Sequence, residues 1–186
     1  MQRELVERAI GGDQDAFSSL VDASVDRLYA VATLILRDSD RAQDAVQDAL
    51  ISAWRDVPAL RDPDAWDAWL HRLTVNSCLD AARRRRRRPI EVELTPISGP
   101  TVSDIAAVVA DRDLLDNALR RLDPEWRAVV VLHYFLGMPL PDVAVALRIP
   151  LGTAKSRLHR SLGAMRSTIE GTDEAVHTPI PGGQFA

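Results

Sequence analysis

The sequence predicts an all-α protein of two small helical domains joined by a flexible linker, the second domain containing a helix-turn-helix. Three observations carry this reading. Apolar residues recur at spacings of three and four along most of the 186 residues, and no stretch keeps the period-two alternation of a half-buried strand. A stretch rich in Pro, Gly, Ser, Thr and Glu from Pro89 to Thr101, with Pro96, Gly99 and Pro100, breaks that pattern near the middle. Further on, the chain from Leu136 to Arg160 reads as a helix, a tight turn and a basic helix. The expected boundaries are residues 1–88 for the first domain, 89–103 for an acidic linker, 104–170 for the second domain and 171–186 for a disordered tail carrying Pro179, Pro181, Gly182 and Gly183.

The stripe of Phe17, Leu20, Val21, Leu28, Ala32, Ile35 and Leu36 predicts one long core helix from Asp15 to Leu36. Past Arg37-Asp38-Ser39-Asp40, with Asp38 or Ser39 as N-cap, the next stripe is Ala42, Ala45, Val46, Ala49, Leu50, Ala53, Trp54 and Val57. Pro58 and Pro63 place a loop between Asp56 and Asp64. The following helix carries Trp66, Trp69, Leu70, Leu73 and Leu79 and runs through six consecutive arginines, Arg83 to Arg88, to Pro89. Trp66 and Trp69 read as core residues, Trp69 more firmly of the two. In the second domain Leu115, Ala118, Leu119 and Leu122 form a stripe, and Asp123-Pro124 reads as N-cap and first residue of a helix that Gly137 ends. The helix before the tight turn should start near Pro141, because proline is tolerated in a first turn.

A net charge of −4 conceals strong segregation. Residues 1–82 hold 15 acids against 8 bases, the arginine run follows, residues 89–117 hold 6 acids against 1 base, and residues 118–170 hold 4 acids against 8 bases. Two cationic zones separated by acidic ones fit a polyanion-binding protein with additional surfaces for other partners. Cys78 is the single cysteine, so no intramolecular disulfide can form. Neither a secretory signal nor a run of about 18 apolar residues is visible, and a cytoplasmic protein without membrane insertion is the expectation. His71, His133, His159 and His177 lack metal-ligand spacing, and no phosphate loop or nucleophile motif occurs. The expectation is a protein without catalytic residues, metal, cofactor or small-molecule substrate.

On the last helix, Lys155, Ser156, His159 and Arg160 share one face and offer hydrogen-bond donors suited to base edges, while Ala154, Leu158, Leu162, Met165 and Ile169 share the other. Gly152 and Thr153 open this helix, where free N–H groups favour a phosphate. On the helix from Asp40 to Arg55, the side opposite the stripe presents Asp44, Gln47, Asp48, Ile51 and Arg55, a mixed polar and apolar surface suited to protein recognition. These features alone also fit a dimeric repressor or activator, or a helical adaptor that binds no DNA. Taken by itself, Asn76 is better read as bonding a backbone group than a base.

Three motifs in order change that balance. Asp44-Ala45-Val46-Gln47-Asp48-Ala49-Leu50-Ile51-Ser52-Ala53-Trp54-Arg55, Trp69-Leu70-His71-Arg72-Leu73-Thr74-Val75-Asn76-Ser77-Cys78-Leu79-Asp80 running into the arginines, and Leu122-Asp123-Pro124 with Gly152-Thr153-Ala154-Lys155-Ser156-Arg157-Leu158-His159-Arg160 resemble the extracytoplasmic-function sigma factors of bacterial RNA polymerase. The resemblance spans Met1 to about Glu170. It implies that the first domain binds core polymerase through Asp44, Gln47, Asp48, Ile51 and Arg55, and reads and melts the minus-ten promoter element. Asn76 would sit at a pocket for a flipped base, next to the Asp56 to Asp64 loop, with Arg83, Arg84, Arg85 and Arg86 on phosphates. The second domain would read the minus-thirty-five element through Thr153, Lys155, Ser156, Arg157, His159 and Arg160, with Arg157 on the backbone or in packing. Arg127 also matches a family position that supports the fold or a phosphate, and Asp80 reads as an intradomain pair or cap. The linker acids Glu91, Glu93 and Asp104 would mimic nucleic-acid charge near the polymerase cleft. An anti-sigma protein clamping or wrapping the two domains is a further expected partner. The chain departs from the family pattern at Asp142-Val143-Ala144, preceded by Pro139 and Pro141, at Ala154, and at Arg148, which replaces a turn glycine.

Overall fold

The computed structural model describes residues 1–87 and 114–171; the expected linker and the tail beyond Gly171 lie outside the described residues. The first unit comprises α1 (Gln2–Ile10), α2 (Gln14–Asp22), α3 (Val25–Leu36), α4 (Ser39–Asp56), two single 3₁₀ turns at Val57–Ala59 and Pro63–Ala65, and α5 (Trp66–Arg87). In the second, α6 covers residues 114–120. It is followed by α7 (Pro124–Val130), a π-helical continuation at Val131–Phe135, α8 (Leu140–Leu147) and α9 (Leu151–Ile169). Among the described residues no strand occurs, and no helix is long and apolar enough to cross a membrane.

Local chemistry sets the boundaries. Asp13 caps α2 by accepting from the Ala16 N–H, and Asp38 caps α4 by accepting from the Arg41 N–H. The expected single helix from Asp15 to Leu36 is two helices. Ser24 donates its hydroxyl to the Leu20 carbonyl at 2.9 Å and its backbone N–H to Val21 at 2.9 Å, a tightened turn that ends α2 and starts α3. The apolar pattern continues across that break because both helices face the same core. α7 does not run as a regular helix to Leu136. Its end widens, with the Leu136 N–H reaching back five residues to the Val131 carbonyl at 3.1 Å, before Gly137 turns the chain at φ 68°. Pro139 is the N-cap of α8, which starts at Leu140, one residue before the expected start near Pro141.

In the first unit, an aromatic cluster organises the packing. Phe17 meets Trp54 edge-on at 5.0 Å and Trp66 at 6.0 Å, and Trp66 touches Trp69 at 5.5 Å. Trp66 lies in the core as expected, 1% exposed at its centre, whereas Trp69, the firmer of the two expectations, is only half-buried. Trp54, expected in the core stripe, is 41% exposed and contributes only one edge to Phe17. Leu115 likewise faces outward, leaving Ala118, Leu119 and Leu122 to bury α6 and its following turn against Met165 of α9.

The two units do not have separate cores. One apolar cluster runs from Val6, Leu28, Val31 and Ile35 of the first unit to Val129, Leu132, Val143 and Leu147 of the second. α3 packs against α7 and its π continuation, and α5 packs against α7 and α8. The pattern of apolar residues gave no sign of this joint, because a face buried against the other unit looks the same in sequence as one buried within its own. The burial of Trp66 sets a clear expectation: in urea unfolding of the full chain, Trp66→Ala should cost about 3–5 kcal/mol, and Trp69→Ala distinctly less. Equal losses would contradict the packing.

Candidate functional site

The helix-turn-helix is built from α8, the residues Arg148-Ile149-Pro150, and α9. Arg148 closes α8 in the left-handed conformation, φ 54° and ψ 45°. The Ile149 N–H returns to the Ala144 carbonyl at 3.0 Å and the Arg148 N–H to Val145 at 3.1 Å, so the turn geometry that glycine usually supplies is kept by an arginine. Pro150 then caps α9. Ala154 is fully buried, Leu158 is half-buried and Met165 is buried, which presses one side of α9 into the fold. Lys155, Ser156, His159 and Arg160 are exposed on the opposite side. Ser156 donates its hydroxyl to the Thr153 carbonyl at 3.0 Å. Thr153 and Arg157 are half-buried, and the Arg157 guanidinium donates to Glu125 of α7 at 2.8 Å. Four of the six expected groove residues are therefore exposed, and Arg157 is occupied within the protein.

On α5, Asn76 is half-buried and Arg83, Arg84, Arg85, Arg86 and Arg87 are exposed. No side-chain hydrogen bond ties the Asn76 amide to another described residue. The arginines are not all free. Arg83 pairs with Asp80 at 3.1 Å and lies 3.8 Å from Glu125, Arg84 reaches Asp48 at 3.4 Å, and Arg86 donates to Asp123 at 2.5 Å. Asp80 is thus in an intradomain pair. The loop after α4 contributes Leu60, Arg61 and Asp62 to an open cleft lined also by Trp69 and Arg72 of α5 and by Met138, Asp142 and Val145 of the second unit.

On α4, Asp44, Gln47, Asp48, Ile51 and Arg55 are all exposed on one face. Ile51 is 59% exposed, and Trp54, one turn on, adds a second accessible apolar group that the core stripe had claimed. Arg55 folds back on Asp56 through bonds of 2.9 and 3.3 Å, which raises the arginine pKa and lowers that of the aspartate. Tyr134 and Phe135, at the end of the π segment, are also exposed and were not singled out from the sequence; their signal was two aromatics in the last turn before Gly137. Burial pushes the Cys78 thiol up to about 12, so it stays protonated and inert. Arg127 is 7% exposed, and its Nε and Nη1 have no hydrogen-bond partner among the described residues. Burial, then the nearby Arg37 guanidinium, bring its pKa down to about 10, so it remains cationic at neutral pH. Among the described residues no group of three or more His, Cys, Asp or Glu is placed to hold a metal.

Fold and surfaces together define an all-helical protein with a helix-turn-helix in one unit, a basic helix end in the other and an exposed face of mixed charged and apolar groups on α4. Residues 20–88 match the family Sigma-70 region 2, and residues 112–165 match Sigma-70, region 4. The ECF RNA polymerase sigma factor SigM of Mycobacterium tuberculosis is 36% identical over 160 residues, covering 85% of this chain and 79% of SigM. SigW of Bacillus subtilis, another ECF RNA polymerase sigma factor, is 28% identical over 185 residues, covering 91% of this chain and 97% of SigW. Among solved structures, CnrH in complex with the cytosolic domain of CnrY matches with a TM-score of 0.65 at 26% identity, over 93% of this chain and 99% of CnrH. The sigma factor RpoE, in complex with the anti-sigma factor NepR from Bartonella quintana, shares the fold with a TM-score of 0.67 at 23% identity, over 85% of this chain and 98% of RpoE. The chain belongs to the extracytoplasmic-function sigma factors of RNA polymerase, which serve promoter recognition and transcription initiation.

Two measurements follow from this geometry. Arg148→Gly should stabilise the protein by about 1 kcal/mol, since glycine adopts the left-handed turn without a Cβ clash; a loss of stability in chemical denaturation would show that the arginine side chain supports the turn. His71 is buried, with Nδ1 donating to the Asp67 carbonyl at 2.6 Å and Nε2 without a partner among the described residues. Burial lowers its pKa from 6.5, and Arg27 adds to that against the raising effects of the Asp67 carbonyl and carboxylate. The unfolded chain therefore takes up the proton first. The stability this neutral imidazole confers is complete above pH 6.5 and falls as pH drops from there through the folded-state pKa. The melting temperature of the wild type should fall between pH 7.5 and 5.5 more steeply than that of His71→Phe.

Proposed function

We propose that the two units divide promoter recognition between them, with residues 1–88 holding core polymerase and the minus-ten element and residues 104–170 holding the minus-thirty-five element. The observation that carries this reading is the exposure of two separate, chemically distinct faces: Asp44, Gln47, Asp48, Ile51 and Arg55 on α4, and Lys155, Ser156, His159 and Arg160 on α9. The α4 face combines carboxylates with exposed Ile51 and Trp54, the mixture of anchor and charge that a protein partner recognises. The α9 face offers an ammonium, a guanidinium, an imidazole and a hydroxyl to the major groove, with Thr153 at the helix N-terminus placed toward a phosphate.

In this reading Asn76 donates to and accepts from a base that has left the stack, and Arg83, Arg84, Arg85 and Arg86 neutralise phosphates beside it. Arg157 serves mainly to brace α9 against α7 through Glu125. The protein works in the cytoplasm without a cofactor of its own, and the chemistry of RNA synthesis belongs to the polymerase. An anti-sigma protein is a candidate further partner, because the similarly folded RpoE is described in complex with the anti-sigma factor NepR and CnrH with the cytosolic domain of CnrY.

Run-off transcription from a genomic promoter pool with purified core polymerase tests the reading. Wild-type chain should yield specific transcripts, and none from any promoter would overturn it. Asp44→Lys/Asp48→Lys should weaken association with core by at least about tenfold, as expected when charges in a recognition face are reversed. Lys155→Ala/Arg160→Ala should leave that association intact while reducing transcription from promoters that need the minus-thirty-five element.

A further inference from the structure

We propose that the contact between α3 and α7 holds a small inorganic oxyanion of the phosphate class, bound by the Arg127 and Arg37 guanidiniums beside the Thr33 hydroxyl. Arg127 is 7% exposed, and two of its three guanidinium nitrogens, Nε and Nη1, are buried without a hydrogen-bond partner among the described residues. The same holds for Nε of Arg37 and for Oγ1 of Thr33. Thr33 and Arg37 stand one turn apart on the same side of α3, where the Arg37 N–H closes the helix on the Thr33 carbonyl at 2.8 Å, and α3 packs against α7. Four polar atoms on two packed helices are thus shut away from water, and three of them belong to guanidiniums, which can only donate.

Charge decides what kind of ligand fits. Arg127 has Arg37 and Arg120 as neighbouring cations and Asp123 as a neighbouring anion. Asp123 is already engaged by Arg86, and Asp116 is shared between Arg37 and Arg120. Three arginines, Arg37, Arg120 and Arg127, therefore have one carboxylate among them, an excess of two positive charges around a buried guanidinium. Burial, then Arg37, brings the Arg127 pKa down to about 10, which leaves it charged at neutral pH. Water would satisfy the N–H groups but not the charge, and a buried cation without a counterion is strongly destabilising. An oxyanion does both, because its oxygens accept from guanidinium and hydroxyl alike and its negative charge offsets the excess.

This anion is distinct from the phosphates of a promoter. The side chains assigned to DNA, on the end of α5 and the outer side of α9, are mostly exposed, whereas Arg127 is buried where α7 meets α3. A duplex does not fit into a contact between two packed helices, but an ion of a few atoms does. The expectation for Arg127 was a role in the fold or a role on a phosphate. With its guanidinium inside the protein the two coincide: the ligand supplies the charge that the fold lacks at that point, and its binding adds to the stability of the folded chain.

The test uses the full chain and inorganic phosphate, with neither polymerase nor DNA, so its failure leaves the promoter-recognition reading untouched. Thermal melts start in sodium gluconate, which is replaced stepwise by phosphate or by chloride at fixed ionic strength. Phosphate should raise the melting temperature along a saturable curve, and a tenfold excess over its Kd should raise the ratio of folded to unfolded chain about elevenfold. Arg127→Met, which keeps an unbranched side chain without the charge, should abolish this response. In phosphate-free buffer that variant should melt no lower than wild type, since a buried cation without a counterion has been removed. Thr33→Val preserves shape and should weaken phosphate binding about threefold or more, which keeps the test valid even if Arg127→Met fails to fold. Lys155→Ala/Arg160→Ala, on the exposed face of α9, should retain the full response. A flat wild-type curve would overturn the proposal. So would an undiminished response in Arg127→Met or Thr33→Val, or its loss in Lys155→Ala/Arg160→Ala, because phosphate would then be acting at the surface. Equal stabilisation by chloride would overturn the assignment to an oxyanion.

Discussion

The burial of α3, α5 and α7 against one another is the constraint on which the rest of this structure depends. α3 presents Leu28, Val31 and Ile35 to the core, α5 presents Trp66, Leu70 and Val75, and α7 with its π continuation presents Val129 and Leu132. α3 and α7, of 12 and 7 residues, are too short to be stable in water without such a face. With these faces inward, the charged residues of α4, the end of α5 and the outer side of α9 have nowhere to go but the surface. The exposed faces that the proposed function assigns to protein and DNA are thus the complement of the core, and their positions follow from it.

Helix existence was readable from sequence because the stripes of three and four spacing are dense, and because Asp38, Asp123-Pro124 and Gly137 mark ends with chemistry that acts locally. The α4 and α9 faces were readable for the same reason: once the buried side is known, helical geometry dictates the other. Four features were not readable. The break at Ser24 hides under an unbroken apolar pattern, since α2 and α3 bury toward one core. α1 carries only Val6 and Ala9 as buried residues, too few to stand out. The deeper burial of Trp66 than of Trp69 depends on which indole of α5 meets Phe17, a long-range contact that helical spacing does not set. The joint between the units, with Arg37–Asp116, Arg86–Asp123 and Arg83–Glu125 across it, joins residues far apart in sequence, and no local pattern encodes such pairs.

Among the described residues, two non-glycine residues close helices in the left-handed conformation, Arg37 after α3 and Arg148 after α8. Each sits where the chain must reverse within a few residues to bring a functional helix into place: α4 after Arg37, α9 after Arg148. An arginine at such a position carries conformational strain that glycine would avoid, but it brings a long cationic side chain to a helix C-terminus, where the backbone carbonyls favour positive charge. Arg37 uses that side chain to reach Asp116 of the other unit. Arg148 leaves it exposed beside the helix-turn-helix, where a phosphate would find it.

The ion pairs at the rim of the joint use arginines that the proposed function assigns to DNA. Arginines gain little from exposed carboxylates in water and far more from a duplex, whose phosphates are dense and whose counterions are released on binding. Arg83 and Arg86 meet the acids of α7 across the joint, whereas Arg157 meets Glu125 inside the second unit. The apolar joint is the larger contribution, because it shields Leu132, Val143 and Leu147 only while the units touch. Burial across the joint and charge at its rim thus act in the same direction, the first strongly and the second weakly, since the pairs of Arg83 and Arg86 are more than half exposed on the arginine side and are screened by salt.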